Sequence, residues 1–327
     1  MSPSKVPFHL RLYYRLGRWG ILPDKGEHSI GRRVLRAGSL LKNRGQARQI
    51  LSSVWGSIWK VLLGQKYHTL LLPHPITLEI TPTALAALVK LWGRLPLAEV
   101  KPEERLLVWE VKPGFRVPTR TDWAFDLAIL HEIFVEKQYG EAFPGWRVLD
   151  IGAYGGESAL YFVLEGAEAV AAVEPYPPAA EKAERLLAEN GLQERVRLLR
   201  VAIGPQEGEG TLWVSEEEPQ TNTLSGTRPV EAPAALTRAV SVPVWTFERL
   251  LSELGWETVD LAKLDCEGCE YAIFSSTPDS VLQRVKRWVM EFHGGGEPIA
   301  QRLRGLGYQV ECQERPDKIG TLRAWLP

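Results

Sequence analysis

From Val148 to Glu157 the chain reads Val-Leu-Asp-Ile-Gly-Ala-Tyr-Gly-Gly-Glu, an apolar strand that stops in a glycine turn carrying an acid. This run constrains the fold more than any other. A buried strand feeding a glycine turn and then a helix opens a βα unit, from which parallel sheets are built. A second apolar run, Ala169 to Val173, ends at Glu174. A carboxylate at such a strand tip can accept two hydrogen bonds from a ribose diol. Asp150 and Glu174 are therefore expected to bracket a nucleoside.

Charge decides which nucleoside is expected. A dinucleotide rests its pyrophosphate on this kind of turn and on the following helix N-terminus. Asp150 would repel that phosphate, and Gly152, Gly155 and Gly156 do not spell G-x-G-x-x-G. S-adenosylmethionine carries a sulfonium and an ammonium but no phosphate, so an acid at the first strand end attracts it. It is the expected cofactor. Asp150 and Gly152 would orient its methionine part, with Ala153 in the same turn. Gly156 would let the backbone approach closely, and Glu174 would hold the ribose. Ala202, after the third strand, would line the adenine, although an apolar residue there serves equally as core. The bland alternative is that the glycines only turn a tight corner.

The net charge of -1 conceals an asymmetry: residues 1 to 66 hold thirteen Lys or Arg against Asp24 and Glu27, which is +11, leaving -12 for the other 261 residues. The two parts are expected to meet different partners. No uncharged apolar run reaches the roughly 18 to 20 residues that span a bilayer, and no secretion signal opens the chain. A cytoplasmic protein is expected, at the inner membrane surface if the basic arm contacts lipid. Cys266, Cys269 and Cys312 are too few for a disulfide framework and fit a reducing compartment. The pair Cys266-x-x-Cys269 lacks the partners of a zinc site, so no metal is expected and both thiols are read as packed. Two Met among 327 residues would suit a hot habitat.

Residues 1 to 67 read as a basic amphipathic extension, with basic and apolar residues alternating from His9 to Trp19. Leu51, Val54, Trp55, Ile58, Trp59, Leu62 and Leu63 recur at helical spacing and lay one apolar stripe, to be covered either by the main domain or by lipid headgroups. Residues 68 to 327 form the second region, with a cofactor core from about 121. Thr81-Pro82 starts a short helix ending near Gly93. Leu106 to Val111 and Phe115 to Val117 form a hairpin, and Thr121-Asp122 caps a helix expected to run through Tyr139. After the glycine turn the pattern is regular: helix 156–165, strand 169–174, helix 178–190, strand 196–202. A long Pro- and Gly-rich run from Gly204 to Val240 reads as a substrate-covering insertion. Helix 245–254, strand 259–265, a helix from Cys269, strand 286–292, helix 298–306 and a closing pair near 308–312 and 321–325 complete the chain.

Two motifs resemble the FkbM family of S-adenosylmethionine-dependent methyltransferases. Asp150-Ile151-Gly152-Ala153-Tyr154-Gly155-Gly156 looks like its cofactor turn. Lys263-Leu264-Asp265-Cys266-Glu267-Gly268-Cys269-Glu270 is similar to its K-x-D-x-E-G-x-E signature, with Glu291-Phe292-His293 at the expected strand end. The resemblance spans about 104–327 and leaves residues 1–66 outside. It implies an α/β fold, a Rossmann-like class I methyltransferase sheet that is mostly parallel with an antiparallel closing strand, behind a basic, mainly helical extension. It also brings in Tyr139 and Asp122 as cofactor residues.

The implied reaction is O-methylation of a hydroxyl on a sugar, glycan or lipid-linked saccharide. The catalytic candidates are Asp265, facing the methyl group and acceptor, His293 as base or orienter, and Glu267 shaping the pocket. Both acids could instead cap the helix near Gly268, with Lys263 neutralising one of them. An RNA methyltransferase using the basic arm and a non-catalytic cofactor-binding protein are the rival readings; nucleic acid is the less favoured partner.

Overall fold

The computed structural model describes residues 30–71, 75–215, 222–224, 238–316 and 318–327. The basic stretch from His9 to Trp19 lies outside them. The chain divides into two compact units, Met1–Glu136 and Lys137–Pro327.

In the first unit, helices Ile30–Lys42, Arg44–Ile50 and Val54–Leu62 precede a hairpin of β1 (Tyr67–Leu71) and β2 (Pro75–Glu79). The apolar stripe is not one helix. Leu51 forms an isolated bridge with Leu70, and Ser53 caps the helix that begins at Val54 by accepting the Gly56 N–H. Helix Pro82–Leu91 starts as expected, with Thr81 Oγ1 accepting the Ala84 N–H and proline in its first turn. The expected hairpin gains a third strand: β3 (Leu97–Lys101), β4 (Leu106–Lys112) and β5 (Phe115–Arg120) form an antiparallel sheet. β3 escaped the reading because Leu97-Ala-Glu-Val-Lys lacks a clean apolar alternation. The next helix also differs from expectation. It begins after Trp123, spans Ala124–Leu130, and widens into a π-turn at His131–Val135 instead of reaching Tyr139. Asp122 is ion-paired with Arg120 (3.0 Å) and Arg105 (3.7 Å), and Asp126 accepts the Arg120 N–H.

The second unit is a Rossmann-like α/β domain. Its main strands are β6 (Arg147–Ile151), β7 (Ala169–Val173), β8 (Val196–Leu199), β13 (Leu261–Leu264), β14 (Arg287–His293), β15 (Gln309–Glu314) and β16 (Ile319–Trp325). They lie in the order β15-β16-β14-β13-β6-β7-β8, parallel from β14 to β8, with β16 and β15 antiparallel. This is the class I methyltransferase sheet. The order reverses at β6, the first strand of the unit. Its neighbour on one side is β7, the next in sequence, and on the other β13, which arrives much later; ligand crevices open at the carboxyl ends of strands beside such a switch. The helices that follow these strands, Glu157–Leu164, Pro177–Glu189, Phe247–Leu254 and Cys269–Ser276, match the expected alternation within a residue or two. Trp288, Phe247 and Phe274 anchor the core, with ring centroids 5.7 and 4.9 Å from Trp288.

One expected strand splits. Residues 196–202 become β8, which ends at Leu199, and a short β9 (Ala202–Ile203), which leaves the large sheet for a second one. There β10 (Gly208–Val214), β11 (Thr223–Leu224) and β12 (Arg238–Trp245) form the order β11-β10-β12-β9. The described part of the Gly204–Val240 run is thus a β-hairpin sheet rather than a plain loop; residues 216–221 and 225–237 lie outside the described residues.

Gly152 fixes where β6 and β13 meet. Its φ is +80°, and a Cβ there would overlap the backbone carbonyl of Asp265. Gly191 has a similar φ of +67° but open space around it. Gly191→Ala should therefore cost only the left-handed strain of about 1–2 kcal/mol. Gly152→Ala should cost clearly more, and urea unfolding of both variants checks the order; equal losses would mean that the close approach is not tight.

Candidate active site

Asp150, the penultimate residue of β6, is wholly buried. Its neighbour in register on β13 is Lys263, also buried, whose Nζ lies 3.0 Å from Asp150 Oδ1 and donates to the Gly152 carbonyl at 2.7 Å. Burial lowers the Lys263 pKa, but Asp150 and then Asp265 outweigh it and hold the ammonium charged. Ser158 Oγ donates to the other Asp150 oxygen at 2.6 Å. The Tyr139 ring covers the same ammonium at 5.6 Å. Lys263 therefore pairs directly with Asp150, with Asp265 as the next charge it meets, and Asp150 ties the turn together.

Four N–H groups of the turn are engaged within the protein. Gly152 and Ala153 donate to the Val173 carbonyl (2.9 and 3.1 Å), Tyr154 to Glu174 Oε2 (2.9 Å), and Gly156 to the Ala153 carbonyl (2.8 Å). Phosphate-binding turns instead aim such groups at the ligand. The following helix, which starts after Gly156 in a left-handed conformation, carries buried Glu157 in its first turn, paired with Lys182 at 2.9 Å. A pyrophosphate would find no free donors among these four residues and a carboxylate in its place. The turn fits a phosphate-free, cationic nucleoside.

Glu174 is buried and takes N–H bonds from Tyr154 and Tyr176 (2.9 and 2.8 Å). Burial pushes its pKa up to about 7 against the pull of those bonds and of Lys263. Each carboxylate oxygen keeps a lone pair for a ribose hydroxyl. Ala202 sits on β9 in the core of the second sheet, with Tyr176 and Ala179. Asp150, Gly152, Ala153, Gly156, Glu174 and Tyr139 gather at one cradle. Asp122 lies in the first unit.

The acceptor side follows β13. Asp265 donates its N–H to the Ile151 carbonyl (3.0 Å), so its position is fixed by the neighbouring strand. Glu267 has φ +55°, a strained position for a residue with a side chain. Cys266 and Cys269 on either side of it are joined in a disulfide with Cα atoms 5.5 Å apart, so the expectation of two packed free thiols is corrected. The short ring closed by this disulfide includes Glu267. Thr223 Oγ1 of β11 donates to the Glu267 carbonyl at 2.5 Å, which brings the insertion onto the same loop. Neither Asp265 nor Glu267 caps the helix: Gly268 is the cap residue without a side-chain bond, and Glu270 accepts its N–H at 3.0 Å.

His293, at the end of β14, faces Glu267 Oε1 through Nε2 (3.3 Å) and Glu270 Oε1 through Nδ1 (3.4 Å). Burial alone would lower its pKa, but the Glu270 bond and the charges of Glu267, Glu270 and Asp265 push it up to about 9. An imidazolium that serves two carboxylates already holds its proton at neutral pH. Glu291, on the same strand, has its pKa raised by burial and by the charge of Asp265. Asp265, Glu291 and His293 have potential ligand atoms within 4.8 Å of one another. A cation could use the two acids, but His293 is already engaged at both nitrogens. Glu270, Ser158 and the true partner of Lys263 were missed in the sequence; the first lay in the quoted signature, and only its buried position distinguishes it.

The sheet order and the acid-bearing glycine turn after β6 are those expected of a class I methyltransferase. Residues 150–317 of the 327 match the methyltransferase FkbM domain family, and the chain belongs to it. Protein arginine N-methyltransferase 7 of Anopheles gambiae is 40% identical over 64 residues, 18% of this chain and 9% of that protein. The Aedes aegypti protein of the same name is 43% identical over 54 residues, 16% of this chain and 8% of that protein. The chain thus spans less than a tenth of the length of the curated relatives it matches. Among solved structures, precorrin-6y C5,15-methyltransferase from Geobacter metallireducens GS-15 aligns with 61% of this chain and 87% of that one, at 14% identity and a TM-score of 0.35. An rRNA methylase from Streptococcus thermophilus aligns with 57% and 88%, at 11% identity and a TM-score of 0.34.

Both buried groups bind protons more tightly in the fold than in the unfolded chain. The Glu174 contribution is full below about 4.5 and is lost as pH rises through about 7; that of His293 is full below about 6.5 and is lost through about 9. Melting temperature should fall from pH 6 to pH 9.5, with Glu174→Gln flattening the lower part of the fall and His293→Gln the upper part. A flat profile in the unmodified chain would contradict both assignments.

Proposed function

We propose that the chain is an S-adenosylmethionine-dependent O-methyltransferase acting on a hydroxyl of a sugar or glycan, lipid-linked saccharides included. The observation that carries this reading is the cluster of Asp265, Glu267, Glu270 and Glu291 around the His293 imidazolium, beside a turn with four N–H groups engaged. When bound, the cofactor supplies a methyl group activated by a sulfonium. Glu174 would hold its ribose, and Asp150, set by Lys263 and Ser158, would shape the turn beneath its methionine part.

An acceptor hydroxyl must lose its proton as the new bond forms. Asp265, half-exposed just past the end of β13, takes that proton beside Glu291, whose pKa is raised by burial and by the Asp265 charge. Glu267, held by His293 and within the disulfide ring, accepts from further hydroxyls of the acceptor. The hairpin sheet that touches Glu267 covers this side and keeps water out. Carboxylates suit a polyhydroxyl acceptor, which brings donors. A phosphate backbone would be repelled, which weighs against an RNA acceptor despite the basic first 66 residues.

Glu174→Ala should weaken binding of the methyl donor at least tenfold in calorimetry, whereas Asp265→Asn should leave it and lower turnover by about 10²-fold or more. Incubation with labelled methyl donor and cell extract divided into glycan, lipid, protein and RNA should place the label in the glycan or glycolipid fraction. Label in RNA alone would favour the rival acceptor. Tight donor binding with no label anywhere would favour a non-catalytic protein.

A further inference from the structure

Among the described residues, eight large hydrophobic side chains are exposed, and seven of them fall between Val34 and Leu71. Trp55, Trp59 and Leu63 are 67%, 62% and 63% exposed and stand four residues apart, so they line one side of helix Val54–Leu62 and its end. The opposite side buries Ile58 and Val61. On β1 the burial alternates, with His68 and Leu70 inward and Tyr67 (59%) and Leu71 (39%) outward. The helix thus has two apolar sides, and only one of them serves the core. A globular surface rarely leaves such a face to water without a use.

The charge around it is mostly of one sign; the one acid on the hairpin is Glu79, opposite Tyr67, which accepts the Tyr67 hydroxyl and is paired with Arg105 at 2.9 Å. From Ile30 to Leu78 the chain has eight Lys or Arg and no Asp or Glu. Lys42, Arg44, Arg48 and Lys66 are exposed. No helix of the described residues is long and apolar enough to cross a membrane. A short helix with tryptophans on one face, set in a cationic surface, matches the chemistry of the bilayer interface, where indole rings sit at headgroup level and Lys and Arg meet anionic lipid. Single-stranded nucleic acid would also use the aromatic rings and the cations. It would have no use for Leu63, Leu71, Leu41 and Val34, which are aliphatic and exposed as well.

We propose that the face of Trp55, Trp59, Leu63, Tyr67 and Leu71 docks on the surface of a bilayer containing anionic lipid, entering the headgroup layer without spanning it. This surface lies outside the methyl-transfer site and does not depend on which acceptor that site takes.

The test is flotation of the full chain with vesicles of phosphatidylcholine and 30 mol % phosphatidylglycerol, about, beside vesicles of phosphatidylcholine alone. The chain should float with the anionic vesicles and at least tenfold less with the neutral ones, and the bound fraction should fall as salt rises. Trp55→Ser with Trp59→Ser should lower the anionic partition at least tenfold. Both side chains are exposed, so the melting temperature and the binding of adenosylmethionine should stay as in the unmodified chain. Tryptophan emission of the unmodified chain should shift to the blue on vesicle addition, and less so in the double variant. Unchanged flotation of the double variant would overturn the assignment, because the contact would then lie elsewhere, residues 1–29 included. Binding to single-stranded RNA but not to anionic vesicles would overturn it as well.

Discussion

The second unit depends on one buried cation. Lys263 on β13 reaches across to Asp150 on β6 and to the Gly152 carbonyl, and so joins the two motif-bearing strands at the crevice. Two charges taken out of water need each other, and removal of one partner from such a pair costs about 3–5 kcal/mol. Here the pair also has a positional consequence. With Asp150 held by Lys263 and Ser158, the glycine turn folds back on β7 and its N–H groups bond to Val173 and Glu174. The chemistry of the crevice follows from that closure. A turn with these four donors engaged is poorly suited to cradle phosphate, and Glu174 lies buried at the next strand tip.

The acceptor side is built on the same logic with the signs reversed. One imidazolium, His293, serves Glu267 and Glu270, and Glu267 lies in a left-handed conformation within the short disulfide ring. Burial would normally strip His293 of its proton. The surrounding carboxylates return it. Asp265 stands between the two halves, with its N–H fixed on β6 and its carbonyl packed against Gly152.

Much of this could be read in advance wherever a residue's role follows from local pattern. The strands from Arg147 to Trp325 and their helices announce themselves by apolar runs and glycine or proline stops, and the positions of Asp150, Glu174 and Asp265 at strand ends follow from those runs. Pairing across strands does not. Lys263 meets Asp150 because β13 lies beside β6 in a particular register, over a hundred residues apart in sequence, and no spacing rule encodes that. His293 looked like a base because its pKa in isolation lies near neutrality, whereas three carboxylates from the end of β13 and the helix start after it set it. The apolar stripe from Leu51 to Leu63 was visible, but not its division between a buried side and an exposed one, since β1 takes Leu51 out of the helix. The strand β9 broke from the expected run at Arg200 and Val201 because its pairing partner, β12, comes forty residues later.

The central claim is that this crevice selects a cationic, phosphate-free adenosine compound, and calorimetric titration of the full chain with S-adenosylmethionine and, separately, with NAD tests it most directly. Saturable binding of the first with no heat from the second is the expected result. Saturable binding of NAD, or none of S-adenosylmethionine, would contradict the account.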